Sequence, residues 1–168
     1  MYMYHLSLYF DEKTTKQLQT YQIHLSQSLK PTVHLTLIRF DSHHLDWIIQ
    51  ELDNLLKEYR IFELYFVSLG SLQAKHLFIQ PVYHASLHDL MKKIDLIIKC
   101  DPSVHLSSYY QFLNWLPHVT IARNQNRQQI TQNFSLLNQQ FKPFKGKVTQ
   151  IRLTHLQPYQ EIKVWNLR

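Results

Sequence analysis

One six-residue pattern occurs twice, half a chain apart. His34-Leu35-Thr36-Leu37-Ile38-Arg39 and His118-Val119-Thr120-Ile121-Ala122-Arg123 both read histidine, apolar, threonine, apolar, apolar, arginine. Pro31 and Pro117 stand just upstream of the two copies. The histidines are 84 positions apart in a chain of 168, and self-similarity at half length predicts two similar lobes related by a pseudo-twofold axis. Each copy is apolar enough to be a strand, on which residues i and i+2 project to one face. His34 therefore projects with Thr36, and His118 with Thr120, while Leu35 and Val119 point into the lobe cores. Regular alternation puts Arg39 and Arg123 on the other face, so they read as strand-end or rim residues. Contact with substrate is their secondary candidate role.

The remaining periodicity switches repeatedly between 2 and 3.6, which marks alternating strands and helices. Tyr4 to Phe10 reads as a strand and Lys13 to Leu29 as a helix. Val33 to Phe40 is a second strand, opened by Pro31. Leu45, Ile48, Ile49, Leu52, Leu55 and Leu56 form an amphipathic stripe. Phe62 to Leu69 and His76 to Val82 read as a hairpin around Gly70. Leu87 to Ile98 is a third helix, stopped at Asp101-Pro102. Leu116 to Ala122 is a strand, and Asn124 or Asn126 caps a helix carrying Ile130, Phe134 and Leu137 inward. Phe144 to Leu167 reads as two strands turned near Pro158-Tyr159. The expected fold is α+β and bilobal, with antiparallel sheets flanked by helices around a central cleft. No low-complexity linker interrupts it, so residues 1–168 are expected to form a single bilobal unit.

Composition removes several functions. Gly70 and Gly146 are the only glycines, too few and too far apart for a P-loop or a dinucleotide fingerprint. The single Cys100 precludes an internal disulfide or a cysteine-rich zinc site and suits a reduced compartment. Neither a signal peptide nor an apolar run of about 18 residues is visible. The chain reads as a soluble, cytoplasmic monomer with no membrane association. Charge is uneven: residues 102–168 carry eight Lys/Arg and only Glu161, whereas residues 1–101 carry ten Lys/Arg and eleven Asp/Glu. A basic half-chain favours a polyanionic partner such as nucleic acid; ordinary solubility charge is the bland alternative.

Two imidazoles and two hydroxyls around one cleft suit phosphoester chemistry. A neutral histidine takes a proton from the attacking hydroxyl or water, and a protonated one gives a proton to the leaving oxygen. Both states are accessible near neutrality, so neither a metal nor another cofactor is required. The threonine hydroxyls can bond the non-bridging oxygens. The alternative is two half-buried strands whose histidines and threonines merely satisfy each other.

Other histidines read differently. His5-Leu6-Ser7, His24-Leu25-Ser26 and His105-Leu106-Ser107 lack the arginine, although His5 and Ser7 share a strand face and can line the cleft. His84 and His88 are spaced for a metal but lack an evident third ligand, and read as a solvated helix start. His43-His44 reads as a capping loop. Tyr109, Tyr110, Phe112 and Trp115 precede the second motif, where they either stack on a base or pack the core. Tyr110 and Trp115 join Arg39, Arg123 and His5 as candidate substrate contacts. Lys142, Lys145 and Lys147 can steer phosphate or keep a loop soluble.

The paired His-x-Thr motifs resemble those of the two-histidine (2H) phosphoesterase superfamily. The run Leu116-Pro117-His118-Val119-Thr120-Ile121-Ala122-Arg123 is most similar to its bacterial 2′-5′ RNA ligase-like branch, the RNA 2′,3′-cyclic phosphodiesterases. The likeness spans nearly the whole chain. It implies a bilobal fold with a basic cleft, His34, Thr36, His118 and Thr120 as the catalytic set, and no metal. It further implies hydrolysis of 2′,3′-cyclic phosphate ends of RNA or of small cyclic nucleotides, leaving a 2′-phosphate. Activity on 2′-5′ linkages, RNA ligation, or a noncatalytic RNA-end binding role on the same fold are its alternatives. The scarcity of loop glycines and the Asn114-Trp115-Leu116 lead-in depart from the common pattern.

Overall fold

The computed structural model describes residues 3–25 and 32–168. Along them run β1 (Tyr4–Phe10), α1 (Glu12–His24), β2 (Leu35–Asp41), α2 (Leu45–Leu56), β3 (Phe62–Leu72) and β4 (His76–Pro81). There follow α3 (Ala85–Cys100), β5 (His105–Leu106), β6 (Val119–Ala122), α4 (Arg127–Gln140), β7 (Phe144–Leu156) and β8 (Tyr159–Asn166). A single 3₁₀ turn, Ser108–Tyr110, lies between β5 and β6. Every strand pairing among the described residues is antiparallel, and the class is α+β.

The strands run β1-β2-β6-β4-β3-β7-β8, and β1 also pairs with β7. The first six therefore close a ring of pairings, with β8 outside on β7. The long β7 crosses between lobes: Phe144–Val148 pairs with β3, and Val148–His155 pairs with β1. One lobe holds β1, β2, β8 and the end of β7; the other holds β3, β4, β6 and the start of β7. On the opposite side of the ring, the two motif strands meet at one residue pair, Leu35 with Val119.

Helices cover the outer faces. The α2 stripe buries Ile48, Leu52 and Leu56, and α3 buries Leu87, Leu90, Met91, Ile94 and Ile98. Asp53 of α2 accepts from the Trp165 indole at 2.6 Å and from Lys163 at 3.2 Å, which ties α2 to β8. Helix α4 packs on β3 and β4, and α1 packs on β6, β7 and β1. Asp11 caps α1, and Asn126 with Gln129 forms a capping box on α4. Asn124 instead takes a left-handed turn at φ 53°.

Three expectations need correction. Helix α1 ends at His24, where the Leu25 amide turns back onto Gln22 O; Leu29, Ser26 and Pro31 lie outside the described residues. The second motif strand begins at Val119 rather than Leu116. Gly70 is inside β3, not at the hairpin turn, which is made by Gln73 and Ala74 at φ 53° and 50°. Left-handed backbone costs non-glycine residues about 1–2 kcal/mol each, so the turn would favour the glycine. Position 70 needs it more: a Cβ there would lie 2.1 Å from Cζ of Phe78.

Candidate active site

Each motif histidine stands one residue before its strand, and its ring is held by a main-chain bond. Nδ1 of His34 lies 2.8 Å from the Thr32 carbonyl, and Nδ1 of His118 lies 2.7 Å from the Leu116 carbonyl. These two carbonyls are again 84 positions apart. A carbonyl only accepts, so Nδ1 carries the proton in both rings and Nε2 carries the lone pair. An aromatic ring flanks each imidazole. Tyr9 stacks on His34 with centroids 5.7 Å apart, and Phe78 lies 5.2 Å from His118.

The arginines do not sit where regular strands would put them. Against β1, β2 pairs Ile38 with Leu6 but Thr36 with Ser7, leaving Leu37 as an extra residue. Against β4, β6 pairs Ala122 with Leu77 but Thr120 with Phe78, leaving Ile121 extra. A one-residue bulge reverses the facing of everything beyond it. Arg39 is thereby paired with His5, on the face of Thr36 instead of opposite it. The rim reading of Arg39 is therefore wrong, and the matching bulge moves Arg123 in the same way. The guanidinium of Arg39 lies over the Tyr110 ring at 5.4 Å, and its Nε is buried without a hydrogen-bond partner. No carboxylate pairs with Arg39 or Arg123 among the described residues.

This positive cleft acts on the histidines. Burial holds His34 down to about 4; the Thr32 carbonyl opposes the shift, and Arg123, Arg39 and His118 add to it. Burial lowers His118 as well; the Leu116 carbonyl opposes the shift, and Arg39, His76 and Arg123 add to it. Both imidazoles are thus neutral at pH 7 until an anion offsets the arginines. Burial, then repulsion from Arg39, pulls the Arg123 guanidinium below its ordinary value.

His5 and Trp115 have turned from candidate contacts into supports of the first motif. His5 is 2% exposed, with Nε2 2.9 Å from the Thr36 hydroxyl and 2.5 Å from that of Ser7. Its Nδ1 lies 3.3 Å from the Thr154 hydroxyl. The Thr154 hydroxyl also donates to the His5 carbonyl at 3.3 Å, so both ring nitrogens of His5 are partnered within this buried network and the ring braces the Thr36 and Ser7 hydroxyls. Burial, then His34 and the two arginines, keeps His5 neutral. The Trp115 indole donates to the Thr36 carbonyl at 2.9 Å, linking the lead-in of one motif to the strand of the other.

Several neighbours were not visible beforehand. Tyr9 and Phe78 flank the catalytic candidates, Arg152 stacks on Tyr9 at 4.2 Å, and His76 has a buried, unpartnered Nδ1. They come from strands β1, β4 and β7, which carry no repeated motif. Of the other histidines, His44 binds Asp101 at 2.8 Å and His84 caps α3. His88 is exposed in the first turn of α3, as a solvated helix start, and lies beside the Tyr83 and Phe112 rings.

Two lobes of antiparallel sheet, joined where two His-x-Thr strands touch, define the class of two-histidine phosphoesterases. Within that class the chain belongs to the 2′-5′ RNA ligase superfamily, whose family model matches residues 9–158. A crystal structure described as a phosphoesterase shares the fold with a TM-score of 0.65 at 16% identity, covering 99% of this chain and 98% of that one. E. coli LigT complexed with NADP+ gives a TM-score of 0.63 at 12% identity, with 99% and 98% covered. E. coli LigT complexed with 3′-AMP gives 0.60 at 14%, with 99% and 97% covered. No curated protein matches the chain. No described helix is long and apolar enough to cross a membrane.

Proposed function

We propose that the chain is a metal-independent phosphodiesterase that opens 2′,3′-cyclic phosphate ends of RNA or nucleotides and leaves a 2′-phosphate. The observation that carries this reading is the matched pair of imidazoles: each is tied at Nδ1 to a carbonyl, with Nε2 left to the cleft, beside two guanidiniums that no carboxylate neutralises among the described residues. The arginines attract the cyclic phosphate anion, and its charge raises the depressed histidines toward a working range. His34, the more deeply buried ring, takes the proton of the attacking water. The water oxygen forms the new bond to phosphorus as the bond to O3′ breaks, and His118 gives its proton to O3′. Thr36 and Thr120 donate to the non-bridging oxygens as charge builds there. Proton exchange with solvent resets the two histidines. The basic C-terminal half supports an RNA partner, and the 3′-AMP held by LigT supports a nucleotide.

The test is a short RNA ending in a 2′,3′-cyclic phosphate, incubated in excess EDTA with the wild type, His34→Ala and His118→Ala. Wild-type ring opening with a 10²-fold or larger loss in each variant, on the order expected for general acid–base groups, supports the proposal. Equal activity in all three overturns it. Wild-type inactivity on the cyclic end, with cleavage or joining of 2′-5′ linkages, replaces it with the sister activity.

A further inference from the structure

One lobe is almost without acid. Residues 64–88 and 102–160 contain neither aspartate nor glutamate. The lobe built on β3, β4, β6 and α4 therefore carries a single carboxylate, Glu63, which already faces Lys145 at 3.8 Å. Among the described residues no carboxylate pairs with Lys75 or Arg123.

Strand register gathers these cations beside the second motif. Leu77 and Ile79 of β4 are fully buried in the core, whereas the Phe78 ring between them lies beside His118. Alternation along the strand sets His76 on the same face as Phe78. Leu77 pairs with Ala122, so one step outward His76 stands across from Arg123, which the bulge at Ile121 has turned to that face. Their charges are felt there: burial lowers His76, and Arg123 and then Lys75 add to the shift. His76 in turn is among the groups that lower His118. Nδ1 of His76 is buried without a hydrogen-bond partner.

The corner is also braced. The Lys75 amide donates to Leu72 O at 3.0 Å, and the Gln125 amide donates to Lys75 O at 2.9 Å. The buried Gln125 side chain donates to Arg123 O at 3.3 Å and accepts from Asn133 of α4. The β3–β4 hairpin and the end of the second motif are thus tied together at Lys75 and Arg123, the two residues whose charges are unpaired.

We infer that Lys75 and His76, with Arg123 between them and the motif histidines, form a second phosphate subsite, which takes the diester joining the terminal nucleotide to the one before it. The inference rests on the activity proposed above and narrows it from mononucleotides to RNA ends. A cyclic phosphate carries one negative charge, whereas Arg39 and Arg123 bring two positive charges and Lys75 a third. Arg123 follows Thr120 by three positions, one of them absorbed by the bulge. The corner therefore stands about 7 Å along β6 from the threonine, on the scale of one nucleotide of extended backbone. A neutral His76 offers one N–H, and an anion in the corner favours its charged form, with two.

The experiment compares 2′,3′-cyclic AMP with its 5′-(methyl phosphate), which carries the linking diester without a second base. The proteins are the wild type, His76→Ala and Lys75→Gln, the last an exposed position. The wild type is expected to favour the 5′-(methyl phosphate) about tenfold or more, through KM, the scale of a hydrogen bond to a charged group. Each variant loses most of that preference. In the wild type the salt dependence of log kcat/KM is steeper for the phosphorylated substrate by about 0.7, one phosphate's share, and Lys75→Gln flattens the difference. No preference in the wild type, or one that survives in both variants, overturns the inference. Calorimetric titration with 3′-AMP and with adenosine 3′,5′-bisphosphate reads the subsite without turnover. If neither cyclic substrate is hydrolysed, the proposed activity fails by itself, and tighter bisphosphate binding that both variants weaken still supports the subsite. Equal binding of the two probes overturns it.

Discussion

Gly70→Ala tests how the fold holds His118. The outer edge of the Phe78 ring occupies the space beside Gly70, and an alanine Cβ would stand 2.1, 2.5 and 2.8 Å from Cζ, Cε2 and Cε1. Carbon atoms rest at about 3.5–4.0 Å, so the ring must retreat by about 1.4 Å or more. Phe78 belongs to β4, whose backbone is paired on both sides by β3 and β6, so the movement falls on the side chain. Its neighbour is the His118 ring, at the start of the adjacent strand β6 and 5.2 Å away. Overpacking of this kind costs about 1–3 kcal/mol of stability. The catalytic effect is expected to be larger in proportion, because a misplacement of about 1 Å can cost 10²-fold in rate. The assays are urea unfolding and kcat/KM on 2′,3′-cyclic AMP. The double variant Gly70→Ala, Phe78→Val, which removes the clashing ring atoms, should recover most of the stability but lack the ring that flanks His118. Gly70→Ala with wild-type kcat/KM and an unchanged unfolding midpoint would refute the reasoning, because the ring would then have room that the structure denies it.

Two further outcomes are expected. His34 releases its proton near 4 in the folded chain and near 6.5 when unfolded. Between those values the unfolded chain binds the extra proton, so stability is lost as pH falls from about 6.5 to 4, by about 3 kcal/mol from this ring. Urea midpoints at pH 7 and pH 4.5 should differ less for His34→Gln than for the wild type; an identical acid slope would show that the ring is not held neutral. Asp101 is 2% exposed and accepts from the Ser42 hydroxyl, from His44 at 2.8 Å and from Ser103 at 2.9 Å, tying the end of α3 to the start of α2. Despite the desolvation it suffers, these bonds hold its carboxyl well below the usual range. Asp101→Asn should cost about 2–3 kcal/mol in urea with kcat/KM unchanged; lowered activity at full stability would mean that this joint reaches the catalytic face.

Most of the elements were legible because each carries a local period. The α2 and α3 stripes, the Asn126 cap and β1 from Tyr4 to Phe10 all follow from spacing within a dozen residues. The catalytic candidates were legible for a different reason: a polar pair on an apolar strand, repeated at half length, needs an explanation that one copy does not. Arg39 and Arg123 were misjudged because Leu37-Ile38 and Ile121-Ala122 are apolar throughout. An apolar pair conceals a bulge, since either residue is at home in the core. Gly70 was misjudged by similar logic. Turn chemistry is local, whereas the Phe78 ring that needs the space is brought to it by pairing across strands.

The sequence by itself determined that there would be two lobes, which residues are the candidates for the chemistry, and that glycine-rich nucleotide loops were out of reach. Those are matters of residue type, period and repetition, all written along the chain. Tertiary structure alone decided that the arginines join the histidines, because a bulge is settled by the register of a partner strand. It also decided that His5 and Trp115 serve the first motif as struts, since their bonds to Thr36 span 31 and 79 positions. The protonation of His34 belongs there too: its shift is set first by burial and then by two guanidiniums, one of them from the far half of the chain. Desolvation and charge act through space, and only the folded chain sets those distances.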